Sequence, residues 1–380
     1  MHLLEALRGL YTVTEDWEGT LFSGLTIQWN YANKYVDISM PHYIPAMLHR
    51  FQHPKPAKHQ GAPHSWTTPT YGASVQYATP PDDSPILSAT DITTIQQKVG
   101  TLLYYAVSVD PFMLAALGTI ASSQAKATQL TKTECLWLMD YSASNPTSII
   151  RYSTSDMVLY IHSDASYLSE PKARSRSGGH FFLSDRPTDL SQPPITASTP
   201  NGPLHTSSVI LRNVMASAAE AKIGALFVNA QDGTVLRTTL IELGHPQPPT
   251  PLQSDNSTAT GIVNASIRQR RSKAIDMRFY WVRGRGRQNH FLVYWKPGRE
   301  NLGDYFTKHH PPAHHQTMRS TYLQVAQAAL RSTAHKPNSV RGCVDSSLTH
   351  TTEAHHPAHN PLSILLRLTH LLKNSLSSLT

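Results

Sequence analysis

The sequence predicts an α/β (α+β) fold: a mixed five-stranded sheet with flanking helices over residues 156–325, preceded by a small mixed α/β region over 1–155. Three observations carry this expectation. Met157-Val158-Leu159-Tyr160-Ile161-His162-Ser163-Asp164 is a short apolar, β-branched run ending on an acid, the pattern of a buried strand. After it, strands arrive as a meander and are then followed by helices alternating with strands, the order of a mixed sheet covered by helices. Finally, Ser217-Ala218-Ala219-Glu220, Pro251-Leu252-Gln253-Ser254-Asp255 and Asn301-Leu302-Gly303-Asp304 each put one acid at the edge of an apolar element. Carboxylates gathered at strand ends repel one another and are costly to desolvate, so a fold normally brings them together for cations.

In chain order, residues 1–60 read as a helix and then strands. Residues 21–29 alternate with period two, 30–34 turn, and 35–40 return, which is a hairpin pattern. A loop rich in Pro, His and Thr spans about 54–85. Ile92, Ile95, Val99, Leu102, Leu103 and Ala106 recur at helical spacing from Asp91. Asp110-Pro111 reads as a cap followed by proline at the first helical position, opening a helix through Leu117. A third helix is expected over 131–141. In the second half the expected elements are strands at 157–164, 177–184 and 206–212, a helix at 217–230, and a strand ending at Asp255. A short helix at 259–267, a basic helical stretch, a strand at 290–295 and a final helix containing Asp304 follow. Residues 326–380 are read as a poorly ordered tail, in which 361–372 is a candidate amphipathic helix.

Composition narrows the function classes. The 380 residues carry a formal charge of +8 with 27 prolines and 21 histidines, and a pI near 9.4. That balance favours polyanionic partners. Cys135 and Cys343 stand in unrelated contexts, which argues against a disulfide framework or a cysteine zinc site. The charged N-terminus is not a secretion signal, and no apolar run reaches the ~20 residues that span a bilayer. A soluble intracellular protein, cytoplasmic or nuclear, with no membrane partner is expected.

Residues 157–323 resemble the ribonuclease H domain of copia-type retrotransposon Pol polyproteins. The match is carried by His162-Ser163-Asp164-Ala165, Ser217-Ala218-Ala219-Glu220-Ala221, Ser254-Asp255-Asn256, Ser272-Lys273-Ala274-Ile275-Asp276-Met277-Arg278 and residues 301–308, Asn301-Leu302-Gly303-Asp304-Tyr305-Phe306-Thr307-Lys308. Residues 1–155 are similar, more loosely, to the C-terminal part of the same polyprotein's reverse transcriptase, through Phe22-Ser23-Gly24-Leu25-Thr26-Ile27 and Lys98-Val99-Gly100-Thr101-Leu102-Leu103-Tyr104. A polymerase aspartate pair is not found there. Tyr35-Val36-Asp37-Ile38 lacks the second acid, and Asp82-Asp83 sits in a proline-bounded loop, so no polymerase activity is expected of this chain alone.

The resemblance implies cleavage of the RNA strand of an RNA–DNA hybrid by two Mg²⁺ ions held by four acids. Asp164, Asp255 and Asp304 stand at the first, third and fourth positions. The second falls in Ala221-Lys222-Ile223, where the family places a glutamate before an aliphatic or aromatic residue. Glu220 lies two positions earlier, about 200° away around a helix. It is the candidate second ligand, and it equally fits a capping box with Ser217. Plainer alternatives stand beside the others: solvated strand-end aspartates for Asp164 and Asp255, and a dipole-favoured helix acid for Asp304.

Eight basic residues fall within 268–287. Of these Arg268, Arg270, Arg271, Lys273 and Arg278 are the candidate phosphate contacts, against the alternative of a solvated basic helix. His309, His310, His314 and His315, and in the tail His355, His356 and His359, form clusters with no strong metal geometry. Two rivals remain open: a catalytically dead nucleic-acid-binding remnant, and an integrase core. The integrase core is disfavoured by the order of acids and by the lack of a His/His/Cys/Cys module. The remainder of a Pol polyprotein is the implied protein partner.

Overall fold

Local chemistry sets the first sheet. In the computed structural model, which describes residues 2–13, 15–66, 82–189, 201–267 and 276–324, the alternating run at 21–29 is split. Ser23 (φ 48°) and Gly24 (φ 81°) form a left-handed turn that folds β1 (Leu21–Phe22) back on β2 (Leu25–Asn30). The expected hairpin follows, with β2 antiparallel to β3 (Tyr35–Ser39). A fourth strand, β4 (Ile149–Ser153), then pairs antiparallel with β3 to complete the order β1-β2-β3-β4. The helices of this half are α1 (His2–Arg8), α2 (Tyr43–Arg50), α3 (Ala89–Ser108), α4 (Leu114–Ser123) and α5 (Gln129–Ser144).

Helix α3 begins where Ser88 accepts a hydrogen bond from the Asp91 N–H, and it buries Ile95, Val99, Leu102 and Ala106, as the spacing predicts. Asp110 departs from expectation: it makes no cap bond, and Pro111 opens a single 3-10 turn ahead of α4. Its carboxylate is 1% exposed and accepts instead from Ser148 Oγ at 2.7 Å and Arg319 Nη1 at 3.0 Å. A buried carboxylate gains more from a cation and a hydroxyl than from one helix N–H.

The second sheet is built from β5 (Val158–Ala165), β6 (Arg176–Ser184), β7 (Pro203–Ile210), β8 (Thr250–Ser254) and β9 (Phe291–Trp295). Their order is β7-β6-β5-β8-β9, with β5/β6 and β6/β7 antiparallel and β5/β8 and β8/β9 parallel. This is the mixed five-stranded ribonuclease H-like arrangement. Helix α6 (Ala218–Glu242) runs well past the expected 217–230, because Gly233, Leu236 and Leu240 continue its buried stripe until Gly244, at φ 90°, follows the C-cap. Helices α7 (Ser257–Val263) and α8 (Asp276–Arg287) complete this layer.

Strand alternation sorts β5 onto two faces. Leu159 and Ile161 join Phe181, Leu183, Leu252 and Val293 against Ile223, Leu226 and Ala230 of α6. Val158 and Tyr160 pack with Phe182 and Leu302 on the other side. Asp304 opens a 3-10 turn (Asp304–Thr307) rather than lying in the expected final helix, and α9 (Pro312–Tyr322) starts separately, with Pro312 at its first position.

The halves meet through buried side chains. Phe112, Ile150, Tyr305, Phe306, Tyr322 and Leu323 share one apolar cluster. Arg319 of α9 reaches Asp110 and Ser148, and the Gln324 N–H donates to the Ile149 carbonyl at 2.9 Å. Residues after 304 thus brace the first sheet as well as the second.

Candidate functional site

The parallel pairing of β5 with β8 matches Ile161 to Leu252 and His162 to Gln253. Asp164, near the end of β5, and Asp255, one residue beyond β8, therefore emerge at the same sheet edge. Asp164 is 1% exposed. The first turns of α6 add Lys222, whose ammonium Nζ donates to Asp164 and lies 2.7 Å from Asp255 Oδ1. The lysine side chain is itself only 13% exposed. Asp304 is paired with Lys308 at 2.8 Å, and it is near enough for its charge to act on Asp164 and Lys222.

Asp164, Lys222 and Asp304 are each shifted from their ordinary values. Burial pushes the Asp164 carboxyl well up; Lys222 opposes that rise, and Asp255 and Asp304 add to it. Burial works against the Lys222 ammonium, but Asp164 and Asp255 outweigh it and hold the lysine above its ordinary value. Burial would raise Asp304, yet Lys308, His310 and Lys222 keep it below the usual carboxylate range.

Glu220 is placed differently. It is buried, its N–H donates to Ser217 Oγ at 3.2 Å, and its Oε2 accepts from the Ala216 N–H at 2.6 Å. That is the capping alternative, with the return bond made one residue earlier than in a standard capping box. Of the four expected acids, the structure gathers Asp164 and Asp255, sets Asp304 beside them, and turns the Glu220 carboxylate to the backbone.

Residues that position the site were less visible in the sequence. Asn301 Nδ2 donates to the Ser163 carbonyl at 2.9 Å while its Oδ1 accepts from the Gly303 N–H at 3.0 Å. The Leu302 N–H donates to His162 Nδ1 at 3.1 Å. A Cβ on Gly303 would stand 2.6 Å from the His162 carbonyl oxygen, so only glycine lets the Asp304 turn approach β5 so closely. The Asn301-Leu302-Gly303-Asp304 motif was the available signal.

These residues do not fit a pair of divalent ions. The space between Asp164 and Asp255 is bridged by the Lys222 ammonium, and a divalent ion about 4 Å from it would meet on the order of 8 kcal/mol of repulsion at an effective dielectric of 20. Among the described residues no group of three or more His, Cys, Asp or Glu side chains is arranged to hold a metal. His309, His310 and His315 instead pack at the seam between the halves, and His314 is exposed beside His310. His309 stacks on His64 with ring centroids 3.9 Å apart, and His315 bonds both Tyr141 and Tyr305.

Of the candidate phosphate contacts, Arg278 lies on α8 with its guanidinium 5.9 Å from the centre of the Phe227 ring. Arg268, Arg270, Arg271 and Lys273 lie outside the described residues, as does the expected tail helix. Arg283 and Arg285 extend the basic surface, resting over Phe279 and Trp281 at 5.7 and 5.1 Å. No described helix is long and apolar enough to cross a membrane.

No family model matches the chain. It is 23% identical over 227 residues to the Retrovirus-related Pol polyprotein from transposon TNT 1-94 of Nicotiana tabacum, a match covering 57% of this chain and 16% of that polyprotein. The chain is similar in sequence to a retrotransposon Pol polyprotein. It spans about a sixth of that relative's length. Similar solved structures include the N-terminal RNase H domain of a Mycobacterium tuberculosis protein, at 13% identity and a TM-score of 0.28, covering 43% of this chain and 96% of that one. Another is LC11-RNase H1 in complex with RNA/DNA hybrid, at 12% identity and a TM-score of 0.29, covering 39% and 93%. RNase H1 from the archaeon Halobacterium salinarum gives 11% and 0.26, covering 40% and 94%.

Proposed function

We propose that this Pol-like chain is a ribonuclease H-like module that binds RNA–DNA hybrids without cutting them. The observation that carries the reading is the Lys222 ammonium seated between Asp164 and Asp255. Two-metal hydrolysis needs that space for cations, and a lysine has filled it. Affinity for the hybrid is assigned to the basic surface of α8 and the residues just before it, with Arg278, Arg283, Arg285 and Arg287 contacting phosphates. Residues 1–155 are read as a reverse-transcriptase-like half that braces 156–325, and the rest of a Pol polyprotein as the protein partner. The work is placed inside the cell, where such hybrids arise.

The test is fluorescence anisotropy with a labelled RNA–DNA hybrid in EDTA, run beside a cleavage assay in Mg²⁺. Salt-sensitive binding with an intact RNA strand is expected, and RNA cleavage by the wild-type chain would overturn the reading. Lys222→Glu is expected to restore cutting if that residue alone blocks it; a folded but inert variant places further damage elsewhere in the site.

A further inference from the structure

Hybrid binding leaves open what holds two carboxylates together at one sheet edge, with a third, Asp304, on the 3-10 turn nearby. Asp164 is almost fully buried and Asp255 comes alongside it from the neighbouring parallel strand. Like charges so placed repel, and a buried carboxylate persists only with an opposite charge or hydrogen bonds to satisfy it. The partner here is covalently part of the chain. Lys222 meets both carboxylates from α6, whose first turn is itself fixed by the Ser217 and Glu220 bonds. The ammonium is therefore delivered by an anchored helix rather than a mobile loop. Asp304 has its own cation in Lys308. Two ammonium groups of the chain itself thus serve the three acids, Lys222 being shared by two of them.

We propose that Lys222 is the resident cation of this domain: its ammonium between Asp164 and Asp255 replaces a divalent ion, so that the folded chain neither requires nor takes up Mg²⁺ or Mn²⁺. This rests on the same site as the functional reading above and adds two claims to it. The lysine is a structural element whose loss unbalances the cluster, and without it Asp164 and Asp255 are left as an uncompensated pair of acids. Removing the ammonium while keeping the aliphatic stem, as in Lys222→Met, leaves Asp164 and Asp255 facing each other with Asp304 adding its charge. A divalent ion then relieves the repulsion that the lysine had relieved.

The full chain, wild type and Lys222→Met, is titrated with MnCl2 in a calorimeter and melted in EDTA, in MgCl2 and in MnCl2. The wild type is expected to give no binding heat and the same melting temperature in all three. Lys222→Met is expected to melt several degrees lower in EDTA and to regain that loss with Mn²⁺, as binding to the folded state alone requires. Mn²⁺ uptake by the wild type, or a melting temperature that rises with Mg²⁺, overturns the proposal. A Lys222→Met protein as stable as wild type and blind to Mn²⁺ overturns it as well. If that variant does not fold, the wild-type titration decides by itself. Failure to bind the hybrid in EDTA counts against the nucleic-acid reading and leaves this inference standing; metal uptake by the wild type overturns this inference and the absence of cutting that rests on the same lysine, while hybrid binding in EDTA stands.

Discussion

Arg176→Met tests how strongly this fold depends on buried charge. Arg176 is the largest fully buried side chain among the described residues, 1% exposed. Its Nε and Nη2 donate to the two Glu170 oxygens at 2.7 and 3.0 Å, and further bonds reach Ser208 Oγ at 3.3 Å and Thr119 Oγ1 at 3.1 Å. The guanidinium lies against α4, where a Cβ on Gly118 would come within 2.5 Å of Nη1. Methionine keeps most of the apolar volume but leaves the Glu170 carboxylate, 7% exposed, without its cation. Removing one member of such a pair costs about 3–5 kcal/mol, because the remaining charge stays desolvated. A typical protein has only about 5–15 kcal/mol in total, so the loss is a large share. Arg176→Met with Glu170→Leu removes both charges and is expected to recover most of it. Urea denaturation at neutral pH, followed by circular dichroism for both single variants and the double, measures the coupling. A loss below about 1 kcal/mol for Arg176→Met, the range of exposed pairs, or a double variant no better than the single one, would refute the reasoning.

Three further outcomes are expected. Burial holds His64 near 4 and His315 near 3, and keeps His309 well below the ordinary imidazole value. The unfolded chain binds protons at these sites first, so their stabilising share is complete above about pH 6.5 and falls as pH drops towards 4; urea midpoints at pH 7.5, 6 and 5 that stay level would contradict this. Among the described residues neither ring nitrogen of His180 has a hydrogen-bond partner, and the ring is fully buried beside Phe182, Phe306 and Tyr322. His180→Leu is therefore expected to raise stability by about 1–3 kcal/mol, read as a higher melting temperature. Replacing Arg285 and Arg287 with Gln is expected to weaken hybrid binding and to flatten its salt dependence, by about 0.9 in log–log slope for each phosphate that is no longer neutralised; an unchanged slope would remove α8 from the binding surface.

Much of the second sheet was legible because its strands carry their burial in their own residues. The run at 157–164 opens with apolar residues on both faces, and 158–164 fall in β5, whose every residue is buried. Spacing likewise located α3, which begins two residues before Asp91 because Ser88 caps it. Legibility failed where two local signals competed. Asp110-Pro111 has the form of a helix start, yet the acid bonds residues 38 and 209 positions away. Helix α6 outran its expected end at 230 because Gly233 is where it closes on Ile161 of the sheet, a contact that only the packing shows.

The sequence by itself determined the chemistry present at the site: acids at three element ends, a lysine in the triplet where the resemblance expects a glutamate, and a basic helix behind them. It also determined that Glu220 had two candidate roles, since Ser217 stands three residues before it. Only the tertiary structure decided between those roles and gave Lys222 its partners. Asp164 and Lys222 are 58 positions apart and Asp164 and Asp304 are 140 apart, so their meeting depends on β5 and β8 pairing in parallel while α6 crosses above them. Local periodicity fixes which face a side chain takes. The balance of charge across such distances is settled by packing, which alone sets how near two groups come and how much water remains between them.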